Sequence, residues 1–366
     1  MTVTSSNISV AAEYKVGTRT RALSFALAFA LMLIVIGFVA PAFVSRTVIQ
    51  NLFFILTMLT LAQYWNLLAG FGGLVSIGQQ AFVGIGAYAL FAGVIIMGLN
   101  PLSALLLGGV AALVLAVPFA FFAFRLNGAY FAIGTWVLAE IIRLVIAQWQ
   151  TLGGGTGISL PRSTTANLPF GDIIGELFGV RAAAARDILT YWLALILAVA
   201  TIAGIYWLLR TKRGLALAAV RDNPQAARSV GVDAGGIKWF VFLTAAFGTG
   251  LTGALMYLQK ARISPDAAFS VNDWTAYIIF IVVIGGIGTI EGPIVGVLIY
   301  FLLQSLLAEF GTWYLIVLGL LGICVMLFAP RGLWGLFSDR TGIQLFPIRR
   351  HLTGGSLDKH AQAGED

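Results

Sequence analysis

An all-α, polytopic membrane fold is predicted by three features of this sequence. Of its residues, 59% are hydrophobic and only 10% are charged, a balance far outside that of soluble globular domains. The apolar residues form runs of roughly twenty, the length that an α-helix needs to cross a bilayer. The 22 basic residues outnumber the 15 acidic ones and concentrate at run ends and in loops. Membrane orientation therefore explains the basic charge better than nucleic-acid binding does.

The apolar runs predict about ten membrane spans. The first run, residues 22–44, is longer than the apolar part of a signal peptide, so we interpret it as a retained span. The predicted spans cover residues 22–44, 49–70, 74–98, 103–124, 128–150, 188–209, 239–258, 274–290, 293–309 and 312–329. Three domains follow from this assignment, namely a cytoplasmic lead (1–21), a membrane domain (22–333) and a polar cytoplasmic tail (334–366).

Basic residues predict how the chain is oriented. The lead and the tail are both basic, so both termini are expected in the cytoplasm, which requires an even number of spans. The same count places Arg125 and the segment 210–238 inside. Residues 151–187 are then external, and this loop is either a flexible connector or a landing surface for an extracytoplasmic partner. The external residues 260–274 either cover an entrance or contact such a partner.

The segment 210–238 is the longest internal stretch that cannot lie in a bilayer. It predicts short helices separated by turns. Asn223 is a predicted N-cap, with Pro224 in the first helical position. Gly231 is a predicted helix stop, and Asp233 is expected to cap the helix that follows. A compact helical loop of this kind is a candidate docking surface. A solvated loop that obeys the positive-inside rule is the alternative.

Two glycine-rich stretches, residues 70–86 and 285–296, interrupt the hydrophobic pattern at matching depths. Residues 72–77 (GGLVSI) align with residues 285–290 (GGIGTI), which suggests a parallel internal repeat. Within the second stretch Gly288, Gly292 and Gly296 recur every fourth residue. This spacing favours close helix packing, and a broken backbone that lines a cavity is the alternative.

Five polar side chains within the predicted spans are candidates for a solute pathway. They are Ser76, Gln79, Gln80, Glu140 and Arg143. Amide side chains suit a neutral or zwitterionic solute because they donate and accept hydrogen bonds without a net charge. Interhelical hydrogen bonding is the alternative role for them. Glu140 and Arg143 lie three residues apart and can pair on one helix face, either as a functional site or as a structural ion pair.

The sequence contains no pattern for enzyme chemistry. No Walker A motif and no Gly-Lys dipeptide occur, and neither HExxH nor GxSxG is present. The single cysteine, Cys324, lies in an apolar run, and the two histidines, His351 and His360, lie in the tail. We therefore expect no catalytic residue, no metal site and no cofactor in this chain.

Four segments in order resemble the permease subunits of ATP-binding-cassette importers for branched-chain amino acids, specifically the larger of the two paired permeases. They are WNLLAGFGGLVSIGQQAFVGIGAY (65–88), GAYFAIGTWVLAEIIRL (128–144), GLALAAVRDNPQAARSVGV (214–232) and VIGGIGTIEGPIVG (283–296). The family usually has a histidine within the segment matched here by residues 77–80, where this chain has Gln79 and Gln80. That departure leaves the solute preference open.

The resemblance implies a transport subunit of the bacterial inner membrane. Its expected partners are a second permease, two cytoplasmic ATPases that bind the ATP, and a periplasmic solute-binding protein. Within the cytoplasmic loop the resemblance implies an ATPase-coupling element formed by Arg221, Asp222, Asn223, Pro224, Ala227 and Gly231. An importer for urea or short amides is the alternative within this class. A secondary transporter driven by ions and a passive channel are alternatives from other classes, against which stand the few membrane carboxylates and the structured loop.

Overall fold

A computed structural model of the chain is almost entirely helical. It describes residues 15–17, 32, 34–161, 168–307, 313–342, 345–347 and 351–353. Most of the N-terminal lead, most of the first half of the first predicted span and the end of the tail, with His360, lie outside the described residues. The predictions made for those parts stay predictions.

Fourteen α-helices lie in the described part of the chain. They are α1 (Arg46–Asn66), α2 (Gln79–Ile95), α3 (Pro101–Ala123), α4 (Ala129–Ala147), α5 (Gly171–Phe178), α6 (Ala182–Arg210), α7 (Lys212–Asp222), α8 (Pro224–Ser229), α9 (Ala234–Lys260), α10 (Pro265–Ala268), α11 (Tyr277–Gly285), α12 (Glu291–Leu307), α13 (Trp313–Phe328) and α14 (Gly332–Thr341). Four short strands form two antiparallel pairs. Strand β1 (Lys15–Gly17) pairs with β4 (His351–Thr353), and β2 (Ile158–Ser159) pairs with β3 (Arg262–Ile263).

Seven helical stretches of the described residues are long and apolar enough to cross a membrane. They are Arg46–Phe71, Pro101–Ala123, Ala129–Ala147, Ala182–Arg210, Ala234–Lys260, Pro265–Gly285 and Ile316–Thr341. The helices α2 and α12 are also apolar, but each has only 17 residues. The predicted multi-pass helical membrane fold is therefore confirmed. The total of about ten spans stays a prediction, since residues 22–31 are not described.

Helix α9 lies at the centre of the bundle and packs against α2, α3 and α1. Small residues allow these helices to approach closely. Gly250 of α9 lies against the backbone of Gly86 in α2 and Gly108 in α3, and Gly253 lies against the backbone of Val83. A side chain at any of these glycines would meet neighbouring backbone or a methyl group. The positions of α2, α3 and α9 are fixed by glycine contacts as well as by the buried apolar side chains.

Helix α1 joins this central group to the rest of the bundle, because it also packs against α6, α11 and α12. Its buried face carries Met58, Leu61 and Trp65, each at most 2% exposed. Helices α11 and α12 pack against each other and form a helical hairpin. The end of the bundle that carries α7 and α8 is called here the loop end, and the other end is called the far end.

Both glycine-rich stretches are breaks in the helices. Break 1 (residues 72–78) follows a π-helical turn, Leu67–Phe71, at the end of α1 and leads into α2. Break 2 (residues 286–290) connects α11 to α12. The repeat predicted from the alignment is thus visible in the structure: in each half a helix leads to a break, and a 17-residue helix follows.

Two predicted span boundaries were wrong at these breaks. The third span was expected to begin at residue 74, but α2 begins at Gln79. Gly73 leaves the helical conformation with φ of +67°, and the Trp65 indole N–H donates to the carbonyl of Ser76 at 2.8 Å. The eighth span was expected to reach residue 290, but α11 ends at Gly285 because Gly286 has φ of +137°. Both backbone conformations are accessible to glycine and strained for other residues.

The loop 151–187 is partly folded. It contains β2 and α5, and β2 pairs with β3 in the loop that follows α9. The amide N–H of Leu160 also donates to the carbonyl of Ala261 at 2.9 Å. The described parts of the two loops at the far end are therefore joined to each other.

Candidate functional site

Helices α7 and α8 form a compact unit between α6 and α9, as the segment 210–238 predicted. Asn223 Oδ1 accepts hydrogen bonds from the backbone N–H groups of Gln225 and Ala226 at 3.0 and 3.1 Å, which caps α8. Asp233 Oδ1 caps α9. Gly231, with φ of +83°, follows the end of α8. The predicted caps and the helix stop are confirmed.

The surface of this unit combines charged and apolar groups. Asp222 is exposed, with 70% of its side chain accessible. Leu215 and Val230 are exposed apolar side chains that the sequence reasoning did not single out, although apolar residues inside a charged loop were a usable signal. Ala227, a predicted coupling residue, is buried, so its side chain packs within the unit and does not face outward.

Arg221 is turned from this unit towards break 1. Its Nη1 donates to the carbonyl oxygen of Gly70 at 3.2 Å, and its Nε donates to Asp222 Oδ1 at 3.0 Å. Its aliphatic stem also covers Gly73, where an added Cβ would lie 3.3 Å from Arg221 Cγ. One side chain therefore contacts both the candidate docking surface and the backbone next to a membrane break.

Break 1 and break 2 meet through α1. Asn66 Nδ2 donates to the carbonyl of Thr289 at 2.7 Å, and Asn66 Oδ1 accepts from the N–H of Gly288 at 2.8 Å. One turn earlier, Gln63 Nε2 donates to the carbonyl of Ile290 at 2.7 Å. Asn66 and Gln63 are fully buried. The sequence reasoning missed both residues, because their partners lie more than two hundred positions away.

These contacts form one connected group that we call the coupling junction. It consists of Asn66, Gly70, Arg221, Gly288 and Thr289. The backbone of Gly70 lies so close to Gly288 that an added Cβ would meet the Gly288 nitrogen at 2.5 Å. Movement of Arg221 would therefore act on backbone that touches both breaks.

The predicted pathway residues Ser76, Gln79 and Gln80 lie in a buried polar layer. Gln79 Nε2 donates to Thr249 Oγ1 at 2.8 Å, and Gln80 Oε1 accepts from Thr275 Oγ1 at 2.6 Å. All three are at most 1% exposed. The structure therefore favours the interhelical hydrogen bonding that the sequence left as the alternative. Gln79 Oε1 has no hydrogen-bond partner in the described part of the chain.

The predicted Glu140–Arg143 pair is confirmed, and it has a third member. Arg143 Nη2 lies 2.6 Å from Glu140 Oε1 along one face of α4. Arg143 Nη1 donates to Asp266 Oδ1 of α10 at 2.7 Å. Asp266 was missed because it lies 123 positions away in the chain. The structure does not join this trio by any described hydrogen bond to the buried polar layer.

A second charged network lies at the far end and was also missed. Asp187 is fully buried at the start of α6. It accepts hydrogen bonds from Arg46 Nε at 2.6 Å, from Gln50 Nε2 at 2.9 Å and from Gln259 Nε2 at 2.8 Å. This carboxylate ties α1, α6 and α9 together. It is a structural connection because every oxygen of the carboxylate is engaged by the protein.

The close packing predicted for Gly292 and Gly296 is confirmed. A Cβ added to Gly292 would collide with the carbonyl of Gly286, and one added to Gly296 would collide with the carbonyl of Ile281. Helix α12 can therefore lie directly on α11. Gly288 has a different role, since it lies within break 2 with φ of +78°.

A family profile described as "Branched-chain amino acid transport system / permease component" matches residues 47–326. This range contains both breaks, the α7–α8 unit and the trio on α4. The chain belongs to this permease family. The permease is thus a member of a family of transport subunits.

Curated relatives cover most of the permease. The high-affinity branched-chain amino acid transport system permease protein LivM of Salmonella typhimurium is 30% identical over 83% of the permease and 74% of the relative. The protein of the same name from Escherichia coli is 29% identical over the same shares. A probable permease named LivH from Methanocaldococcus jannaschii is 25% identical over 48% of the permease and 55% of that protein. No solved structure shows a significant match.

Proposed function

We propose that the permease is a membrane-spanning subunit of an ATP-binding-cassette importer that carries branched-chain amino acids into a bacterial cell across the inner membrane. Family membership and the names of the curated relatives support this solute class. In this proposal a second, homologous permease completes the pathway, and two cytoplasmic ATPases bind the ATP. A periplasmic solute-binding protein delivers the solute. The permease itself holds no cofactor and no ATPase site.

The observation that carries the mechanism is the contact of Arg221 with Gly70 at the coupling junction. In the proposal the loop end is cytoplasmic, and the ATPase binds the surface from Arg221 to Gly231. Asp222 and the cap of α8, Asn223 with Pro224, shape that surface. Ala227 packs beneath it, and Leu215 and Val230 add apolar contact area.

ATPase movement would then reach the membrane through the junction. A charged hydrogen bond such as that from Arg221 to a carbonyl is worth about 1.5–3 kcal/mol, enough to bias a two-state backbone segment. Break 1 is the segment that Arg221 contacts, and Asn66 links it to break 2. Rigid helices that rock about broken segments are a known way to alternate access to a membrane pathway.

The solute pathway in this proposal involves both sets of predicted polar residues. Glu140 and Arg143 lie on an uncovered face of α4. Ser76, Gln79 and Gln80 are buried in the present conformation and would face the pathway when break 1 moves. The joined loops at the far end, residues 151–187 and 260–274, offer the landing surface for the solute-binding protein.

Reconstitution tests the proposed function. Vesicles are prepared with the permease, a second permease, two ATPases and a solute-binding protein from the same organism. Uptake of labelled leucine is then measured with ATP. We expect uptake that isoleucine and valine inhibit and that urea does not. Inhibition by urea alone would assign the alternative solute. Uptake driven by a proton or sodium gradient without ATPase would contradict the importer mechanism.

A further inference from the structure

Two helices of the bundle expose broad faces that the rest of the chain does not cover, and the faces differ. On α3 the exposed residues include Val110, Val114 and Val117, and every exposed residue from Leu106 to Phe122 is apolar. On α4 the exposed apolar residues, such as Ile141 and Leu144, lie beside the ion pair of Glu140 and Arg143. The α3 face matches lipid, while the α4 face combines apolar and charged groups.

The charged side chains on α4 indicate that this face borders water or protein and not lipid. The trio of Glu140, Arg143 and Asp266 has two carboxylates and one guanidinium, so it keeps a net negative charge. The side chains of Glu140 and Asp266 are 44% and 82% exposed. Charged groups in spanning helices characteristically face a bundle interior or a water-filled cavity, because exposure to hydrocarbon is costly.

Break 1 lies beside the loop-end start of α4. The N–H of Ile77 donates to Thr135 Oγ1 of α4 at 3.1 Å, so α4 lies directly beside the break. Val75 is exposed, and with Phe131 and Lys238 it lines a cavity of about 360 Å³ at the loop end. Ala129 of α4 also lines this cavity, and Ala129, Ile133 and Val137 are exposed on the side of the helix that carries Glu140. The exposed face of α4 therefore runs from the cavity to the trio. We call it the α4 strip.

We infer that the α4 strip borders the aqueous solute pathway, and that Glu140 and Arg143 bind the charged head group of a zwitterionic amino acid at the far end of the strip, where the ligand displaces Asp266. The inference rests on the proposed function for its solute and deepens it. The carboxylate of the amino acid replaces Asp266 on Arg143 Nη1, because Asp266 is the more exposed of the two carboxylates.

The remaining groups of the trio fit the rest of the ligand. The ammonium group of the amino acid then pairs with Glu140, which Arg143 holds at 2.6 Å. Guanidinium binds carboxylate through two parallel hydrogen bonds, a geometry that a neutral amide cannot match. The branched apolar side chain then packs on Ile141 and Leu144. This arrangement selects amino acids over urea.

Cysteine accessibility tests the position of the strip. In the complete transporter with Cys324→Ser, single cysteines replace Ile141 or Leu144, and Val110 or Val114 on α3 serve as matched controls. Ile141 and Val110 lie within about one helical turn of the midpoints of their helices. A charged, membrane-impermeant thiol reagent should label the α4 positions at least roughly tenfold faster, because thiols ionise and react in water. Equally slow labelling of both helices would overturn the inference.

Ligand protection tests the head-group site. Leucine should slow the labelling of Leu144→Cys, while urea and isoamylamine, which lacks the carboxylate, should not. Labelling that leucine leaves unchanged would overturn the binding role of the trio. Protection by urea and not by leucine would overturn both the zwitterion site and the proposed solute. Labelling itself needs no transport. An error in the proposed function can therefore be distinguished from an error in the position of the α4 strip.

Substitutions in the trio separate binding from folding. Arg143→Lys should raise the leucine concentration needed for half-maximal protection severalfold, because lysine cannot form the bidentate contact. Asp266→Asn should lower it, since the competing carboxylate is removed. Asp339→Asn, which removes an exposed carboxylate of α14 that pairs with Arg331, is the matched control and should leave protection unchanged. The exchange of carboxylates would be contradicted if both variants shifted protection in the same direction, or if neither shifted it.

Discussion

Break 1 and break 2 share a sequence pattern and a local geometry. In break 1, Ser76 Oγ accepts a hydrogen bond from the N–H of Gly78 at 3.2 Å. In break 2, Thr289 Oγ1 accepts from the N–H of Gly292 at 3.0 Å. The same hydroxyl position thus supports the backbone as it enters the following helix in both halves. The difference between the breaks comes from what surrounds them.

Break 2 is held on several sides. Asn66 and Gln63 engage its backbone, and Gly286 packs against Gly332 at the start of α14. Break 1 is also held, by Trp65 and Thr135, but it is the break that Arg221 of the α7–α8 unit covers. The comparison teaches that one glycine-rich pattern can be fixed by buried amides in one half of a repeat and be contacted by a separate helical unit in the other. We interpret break 1 as the segment that moves.

The largest expected effect comes from removing the anchor of break 2. Asn66→Leu removes the hydrogen-bond partner of the N–H of Gly288 and of the carbonyl of Thr289, both in half-buried residues, at up to about 1–3 kcal/mol for each group. We expect the variant to lose roughly 2–5 kcal/mol of stability and most of its monodisperse protein. The measurement is thermal unfolding in detergent, followed by size-exclusion chromatography.

Gln63→Met is the matched control for that variant. It removes one hydrogen bond but also a buried amide oxygen that has no partner in the described residues. The net loss should be within about 1 kcal/mol. Equal losses for Asn66→Leu and Gln63→Met would contradict the assignment of Asn66 as the main anchor.

Ser76→Ala and Thr289→Ala test the comparison directly, since each removes one hydroxyl acceptor. Each should cost about 1 kcal/mol of stability. If break 1 moves and break 2 is anchored, only Ser76→Ala should change leucine uptake per assembled transporter. Uptake by both variants, normalised to the amount of assembled complex, is the measurement. A larger change for Thr289→Ala would reverse the roles of the two breaks.

Substitutions in the trio of Glu140, Arg143 and Asp266 should have the smallest effect on stability, because these side chains are partly exposed. Arg143→Met leaves two carboxylates without their cation, whereas Glu140→Gln leaves Arg143 paired with Asp266. We expect Arg143→Met to be the more destabilising by about 1 kcal/mol, and the double variant to be milder than the sum of the singles. Thermal melting of the four proteins in the cycle checks this. Strictly additive losses would show that Glu140 and Arg143 do not interact.

Features that depend on neighbouring residues were predictable from the sequence. The caps formed by Asn223 and Asp233, the stop at Gly231 and the pairing of Glu140 with Arg143 were all expected, because the partners lie within four residues. The helical membrane fold followed from the long apolar runs. The glycine-rich repeat was recognisable because both copies keep glycine and a hydroxyl at matching positions.

Features that depend on tertiary contact were not predictable in this way. The partners of Asn66, Arg143 and Asp187 are supplied by distant helices, and no local spacing identifies them. Hydropathy also placed residues 74–78 in a span, although tryptophan and glycine contacts hold them in an extended break. The candidate site was therefore partly predicted. Arg221 and the Glu140–Arg143 pair were recognised, whereas Asn66 and Asp266 were missed.

The central claim is that Arg221 transmits movement of the docked ATPase to break 1. The most direct test is the number of ATP molecules hydrolysed per leucine taken up by reconstituted transporter that contains Arg221→Ala. Lys212→Ala, which removes an exposed basic side chain at the start of α7, is the matched control. We predict that Arg221→Ala retains ATPase activity and complex assembly but loses about tenfold or more of its uptake, while Lys212→Ala stays coupled. Normal uptake per ATP in the Arg221→Ala transporter would contradict the account.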